Sequence, residues 1–185
     1  MNIANKLTIM RILFIPFFIL CFYISALDQP MVLLVFDTTY AHVLALFVFS
    51  IAAATDWLDG YLARKLDLIS DFGKFMDPLA DKMLTTAAFL IFIDQGLLAS
   101  WIVFVILTRE FIVSGLRMTA AAKGVVIAAG WSGKFKTVLQ MTAIIALLIN
   151  PELTILNIVL IYAMTIATVA SGIEYVVKNK NVLNK

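Results

Sequence analysis

Charge is scarce in this chain, and cysteine and histidine are scarcer. Cys21 is the only cysteine, so an internal disulfide is impossible and a thiolate metal site is excluded. Only 14% of the 185 residues are charged, 63% are hydrophobic, and the mean hydropathy is +1.01. A soluble domain averages roughly 45–50% apolar and about 25% charged. An ordinary water-facing surface is therefore ruled out, and so is disorder, because a chain this apolar buries itself in something. Internal repeats, low-complexity stretches and domain linkers are missing too. The bilayer is the solvent that remains. One span takes about 20 apolar residues, so six fit with roughly 65 residues left for loops.

Hydropathy predicts six spans, at 7–26, 39–58, 78–95, 98–118, 134–149 and 153–177. The expected fold is one all-α integral membrane domain over residues 1–185, with turn chemistry at Asp28-Gln29-Pro30, Asp59-Gly60, Asp94-Gln95-Gly96, Gly124 to Gly133 and Asn150-Pro151. Lys6 and Arg11 ahead of an apolar run give the start the look of a secretory signal. The run from Ile12 to Leu27 is too long for one, however, and Leu20 before Cys21 is wrong for lipoprotein cleavage. We read a retained first span, bent at Pro16, with Asn2 to Thr8 along the membrane surface. All 14 basic residues then fall on one side: Lys6 and Arg11; Arg64, Lys65, Lys74 and Lys82; Arg109, Arg117, Lys123, Lys134 and Lys136; Lys178, Lys180 and Lys185. The opposite loops hold Asp28, Asp37, Asp94 and Glu152, with His42, the single histidine, nearby as a packed or interfacial residue. The positive-inside rule makes both termini and the 2–3 and 4–5 loops cytoplasmic, in a multi-pass protein of the cell membrane.

Four carboxylates stand out where spans 2 and 3 meet their shared loop. Asp56 and Asp59 are three residues apart and Asp77 and Asp81 four apart, so each pair shares one helical face. In an antiparallel hairpin the two faces converge at the cytoplasmic end. Ionised carboxylates inside apolar segments cost roughly 2.5–3.5 kcal/mol each at a span's centre, and four together repel one another. Divalent metal relieves this, and oxygen donors without nearby His or Cys suit Mg²⁺ or Mn²⁺. Four carboxylates can bridge two ions about 3.5–4 Å apart, suited to in-line displacement at phosphorus. Gly60 and Gly73 leave room for close approach of a phosphate or nucleotide, and Arg64 offers a fork of donors. Asp67 and Asp71 read as solvated loop residues.

The pattern D-x2-D-G-x2-A-R-x8-G-x3-D-x3-D, from Asp56 to Asp81, resembles the signature of the CDP-alcohol phosphatidyltransferase family at every fixed position. The resemblance implies a six-span, usually dimeric enzyme in which an alcohol displaces CMP from a CDP-linked lipid. It further implies two divalent ions held by Asp56, Asp59, Asp77 and Asp81, with Asp81 as general base. Gly60, Ala63, Arg64, Gly73 and Lys74 would line the CDP-lipid site.

A second cluster bears on the acceptor. Arg109 and Arg117 lie eight residues apart on one stripe of span 4, and Lys134 and Lys136 open span 5. Arg109, within an apolar stretch, needs Glu110, phosphate or water to be tolerated. Lys123 and the tail lysines suit a basic belt at the lipid headgroups. A cationic pocket suits an acceptor that itself carries phosphate. The stretches Asn5-Lys-Leu-Thr8-x2-Arg11, Arg109-Glu110-Phe111, Ser114-Gly115-Leu116-Arg117 and Gly133-Lys134-x-Lys136-Thr137 resemble the phosphatidylglycerophosphate synthase branch of the family, apart from Ala4, where that branch often has proline. This implies CDP-diacylglycerol as donor and sn-glycerol 3-phosphate as acceptor, with Thr8, Arg109, Arg117, Lys134 and Lys136 on the glycerol phosphate. Gly133-Lys134 is not a P-loop, since the Walker spacing fails and no strand precedes it. The competing acceptors are inositol phosphate and phosphatidylglycerol. A divalent-cation transporter is the competing class, but it would place ligands at the midplane of repeated halves. Nothing points to nucleic acid.

Overall fold

The computed structural model describes residues 3–33, 36–66, 71–125, 127 and 130–180, with side chains from Thr8 onward except those of 56–75, 77, 78 and 81. Helices dominate: α1 (Ile3–Tyr23), α2 (Tyr40–Leu66), α3 (Asp71–Asp94), α4 (Ser100–Ala122), α5 (Trp131–Ile149) and α6 (Ile155–Asn179). Between α1 and α2 a hairpin of β1 (Pro30–Leu33) and β2 (Phe36–Thr39) pairs antiparallel, with Pro30 opposite Thr39 and Leu33 opposite Phe36. No strand was expected there. Residues 31–36 read as a short unbroken apolar run, which periodicity alone does not identify as strand, and four-residue strands carry little alternation to read.

The helices also outrun the hydropathy. The Asp59-Gly60 pair, expected to end span 2, lies inside α2, which continues to Leu66. Span 3 was expected from residue 78, but α3 begins at Asp71. Hydropathy senses where apolar side chains stop, whereas a helix continues into a polar medium as long as its backbone bonds are made. Both carboxylate pairs therefore lie on helical backbone. Other ends follow local chemistry: Gly96 and Gly124 take φ of 72°, open only to glycine at little cost, just after α3 and α4. Thr154 caps α6 by accepting from the Asn157 amide at 3.4 Å, and Asn157 Nδ2 donates to the Glu152 carbonyl at 2.6 Å.

The chain forms two compact units. The first comprises Met1–Asp94 with Ile145–Pro151, the second Gln95–Ile144 with Glu152–Lys185. In the first, α1 packs on both α2 and α3. Ala45, Phe49 and Ala52 form a buried stripe on α2, small residues alternating with a large one so that backbones approach closely. Phe18 sits against Phe49, their ring centroids 6.2 Å apart. His42 is buried, edge-on to Phe22 at 5.1 Å and 2.8 Å from the Thr39 hydroxyl, a packed residue. In the second unit α4 packs on α6. The buried face of α6 includes Ile161, Met164, Thr168, Ser171, Gly172 and Tyr175. Thr165 and Thr168 satisfy their hydroxyls on carbonyls one turn back, at 2.7 and 2.6 Å.

Outward faces are apolar as well. Phe104, Phe111, Trp131 and Ile155 are 70%, 72%, 84% and 83% exposed, a surface that water does not tolerate in bulk. Among the described residues, α5 and α6 are long and apolar enough to cross a membrane, and α1 and α2 carry shorter apolar stretches, Thr8–Tyr23 and Tyr40–Thr55.

Candidate active site

The carboxylate residues of the first unit are described as a backbone arrangement. Asp56, Asp59, Gly60, Ala63 and Arg64 occupy the C-terminal part of α2, and Gly73, Lys74, Asp77 and Asp81 the N-terminal part of α3. Their side chains lie outside the described ones. The helical backbone keeps the i,i+3 and i,i+4 spacings that bring each carboxylate pair onto one face, and the donor set is all oxygen, which fits Mg²⁺ or Mn²⁺. Among the described residues, no group of three His, Cys, Asp or Glu gathers that could hold a metal. Thr8, expected with the acceptor residues, is fully buried in the first unit.

The basic cluster belongs to the second unit and is described atom by atom. Arg109 and Glu110 are adjacent on α4, and Lys136 stands one turn into α5. Glu110 Oε1 accepts from Arg109 at 3.1 Å and from the Lys136 ammonium at 2.5 Å, with the three side chains 16%, 13% and 6% exposed respectively. One carboxylate therefore neutralises part of two cations and ties α4 to the start of α5. The other arm of Arg109 donates to Ser171 Oγ on α6 at 3.1 Å, while its Nε is buried and meets no hydrogen-bond partner among the described residues. Two turns further along α4, Arg117 donates to the Tyr175 hydroxyl at 3.1 Å and lies over that ring, 5.5 Å from its centroid. Arg117 and Arg109 line one cavity of about 180 Å³ together with Ser132, Gly133, Ser171 and Tyr175. Glu174 and Lys178, paired with each other, close its edge.

The four cations expected on the acceptor thus divide. Arg109 and Arg117 face the cavity. Lys136 is buried against Glu110, and Lys134 lies over Trp131, 5.0 Å from the ring centroid. Ser132, Ser171 and Tyr175 were missed. The signal for Ser171 was its place beside Gly172 in an apolar helix, where small residues mark close approach. The approach is real: a Cβ on Gly172 would come within 2.8 Å of Arg109 Cγ. The stem of Arg109 lies across α6 where a side chain is missing.

Residues 1–172 match the family model described as CDP-alcohol phosphatidyltransferase. The chain belongs to that family. The match runs from α1 to Gly172 and includes both carboxylate pairs and the Arg109–Glu110–Lys136 cluster. A Bacillus subtilis (strain 168) protein named CDP-diacylglycerol--glycerol-3-phosphate 3-phosphatidyltransferase is 42% identical over 185 residues, covering 96% of this chain and 95% of that protein. Proteins of the same name from Haemophilus influenzae and Yersinia pestis (strain Pestoides F) are 40% and 36% identical, each covering at least 94% of this chain and 91% of the relative. This member of the family is a transferase of phospholipid biosynthesis.

Proposed function

We propose that the chain transfers the phosphatidyl group of CDP-diacylglycerol to sn-glycerol 3-phosphate, releasing CMP and forming phosphatidylglycerophosphate. The observation that carries the acceptor is the cavity of Arg109 and Arg117, whose two guanidinium groups suit a phosphate dianion. Neither serine nor choline would need them, and near-full-length similarity to three relatives named for this reaction supports the same reading.

In the proposed reaction Asp56, Asp59, Asp77 and Asp81 hold two divalent cations. When bound, these neutralise the pyrophosphate and the charge that develops on departing CMP. Arg64, Lys74 and the small residues Gly60, Ala63 and Gly73 hold the CDP moiety. Arg109 and Arg117 hold the acceptor phosphate, and Lys136 acts through Glu110 to fix Arg109. Lys134 and Thr8 complete the proposed acceptor contacts. The Asp81 carboxylate takes the proton of the acceptor hydroxyl as its oxygen attacks the lipid-linked phosphorus. One P–O bond forms, the P–O bond to CMP breaks, and the proton stays with Asp81 until solvent removes it. The helices span the membrane six times with both termini and this site on the cytoplasmic side, and the enzyme works as a homodimer.

The deciding experiment supplies labelled CDP-diacylglycerol with an acceptor panel, with and without Mg²⁺ and Mn²⁺. CMP release is expected with glycerol 3-phosphate and metal. Release with inositol phosphate or phosphatidylglycerol instead, or metal flux in proteoliposomes without CMP release, would overturn the assignment.

A further inference from the structure

Arg11 is the most deeply buried charge among the described residues, 1% exposed, one turn after the fully buried Thr8. No step of the proposed reaction uses it. Two contacts along α1 fix its level in the first unit. Phe18 packs on Phe49 and Phe22 on His42, so α1 and α2 run antiparallel. Arg11 is seven residues before Phe18, and Asp56 is seven residues after Phe49. Seven residues are about two turns and ~10.5 Å, returning to nearly the same helix face. Arg11 therefore stands level with Asp56 when counted from Phe18–Phe49, and with Ala53, one turn earlier on α2, when counted from Phe22–His42. Counted from Phe18–Phe49, Thr8 stands level with Asp59.

The other contact gives the same answer from α3. Tyr23 at the end of α1 donates to Asp94 at the end of α3, at 3.2 Å. Arg11 is twelve residues back from Tyr23, and Asp81 is thirteen back from Asp94, about 18–20 Å along each helix. The registers of α2 and α3 thus agree to about a turn: Arg11 lies near the level of the carboxylate-bearing stretches, on a helix that packs on both α2 and α3.

We propose that Arg11 is a positioning residue of the metal–carboxylate site, a fixed counter-charge that holds the aspartates assembled when no metal is bound. This rests on reading Asp56, Asp59, Asp77 and Asp81 as that site. Four mutually repelling carboxylates between helices drive the helices apart. A guanidinium stays protonated under all working conditions and its planar fork spans two carboxylates. With divalent cations in place the same charge is repelled by them. Arg11 thus stabilises the empty site and weakens metal binding, which keeps the ions exchangeable.

The test is thermal unfolding of the purified protein in detergent, after EDTA treatment and across a Mn²⁺ titration. In the parent, Mn²⁺ raises Tm. Arg11→Met lowers Tm in EDTA by about 6 °C or more and far less at saturating Mn²⁺, so the metal-induced rise grows. Its half-saturating Mn²⁺ concentration falls roughly three- to tenfold. Arg11→Lys retains most of the parent behaviour. Adding Asp56→Asn to Arg11→Met recovers much of the stability lost in EDTA, including the case in which Arg11→Met alone fails to accumulate. An equal loss of Tm with and without Mn²⁺, or no recovery in the double variant, overturns the role of Arg11. A parent protein whose Tm ignores Mn²⁺ overturns the metal-site reading beneath it.

Discussion

At the scale of single residues, Gly172 and Arg109 are in close contact. A methyl group at Gly172 meets the Arg109 stem at 2.8 Å, on Cγ rather than at a mobile tip. The guanidinium must then leave Ser171 and the cavity. Gly172→Ala is expected to raise KM for glycerol 3-phosphate roughly 5- to 30-fold, the range of about 1–2 kcal/mol of overpacking, with little change in KM for CDP-diacylglycerol. Steady-state kinetics in an Arg109→Ala background separates this from general damage, since there Gly172→Ala should cost nothing further. A second prediction concerns the proposed base. Asp81→Asn keeps the shape but accepts no proton, so CMP release should vanish while binding of CDP-diacylglycerol, read by calorimetry, persists. Full turnover in that variant would end the assignment of Asp81.

At the scale of elements, Glu110 is what joins α4 to α5. Lys136 is 6% exposed and its ammonium rests on Glu110, so Glu110→Gln leaves a buried cation under-compensated. Breaking such a pair costs about 3–5 kcal/mol, and a large drop in Tm is expected. Lys136→Met added to Glu110→Gln should return much of it, as replacing both charges removes the desolvation problem. This pair also shows what a sequence leaves out. Lys136 at the opening of span 5 was expected on the acceptor from its charge alone, and its Glu110 partner is visible only in the structure. Glu110 was visible as a tolerance for Arg109, yet that it would serve two cations at once depended on α5 meeting α4. The helical continuation through Asp59-Gly60 was hidden for a different reason: local turn propensity was overridden by a backbone already in register.

At the scale of the whole molecule, the distribution of charge makes the boldest claim. With Cys21 buried and bonded to the Phe17 carbonyl at 3.1 Å, a Cys21→Ala background gives a clean reporter chain. A cysteine at Asp28 should then react with an impermeant thiol reagent from outside intact cells. One at Lys180 should react only after the membrane is opened. The reverse pattern would invert the proposed topology.

The sequence by itself determined the class of the molecule, its helices in number and approximate place, the carboxylate motif and its family. Those depend on composition, on periodicity and on spacing within one helix, all of which are local along the chain. Tertiary structure alone decided which charges meet. Arg109 reaches Ser171 because Gly172 leaves room 63 residues away, Lys136 pairs with Glu110, and Arg11 comes within about a turn of the level of Asp56 and Asp81 because the Phe18–Phe49, Phe22–His42 and Tyr23–Asp94 contacts set the helix registers. An ion pair or a cavity depends on which faces pack together, and no spacing within a single helix specifies its neighbour.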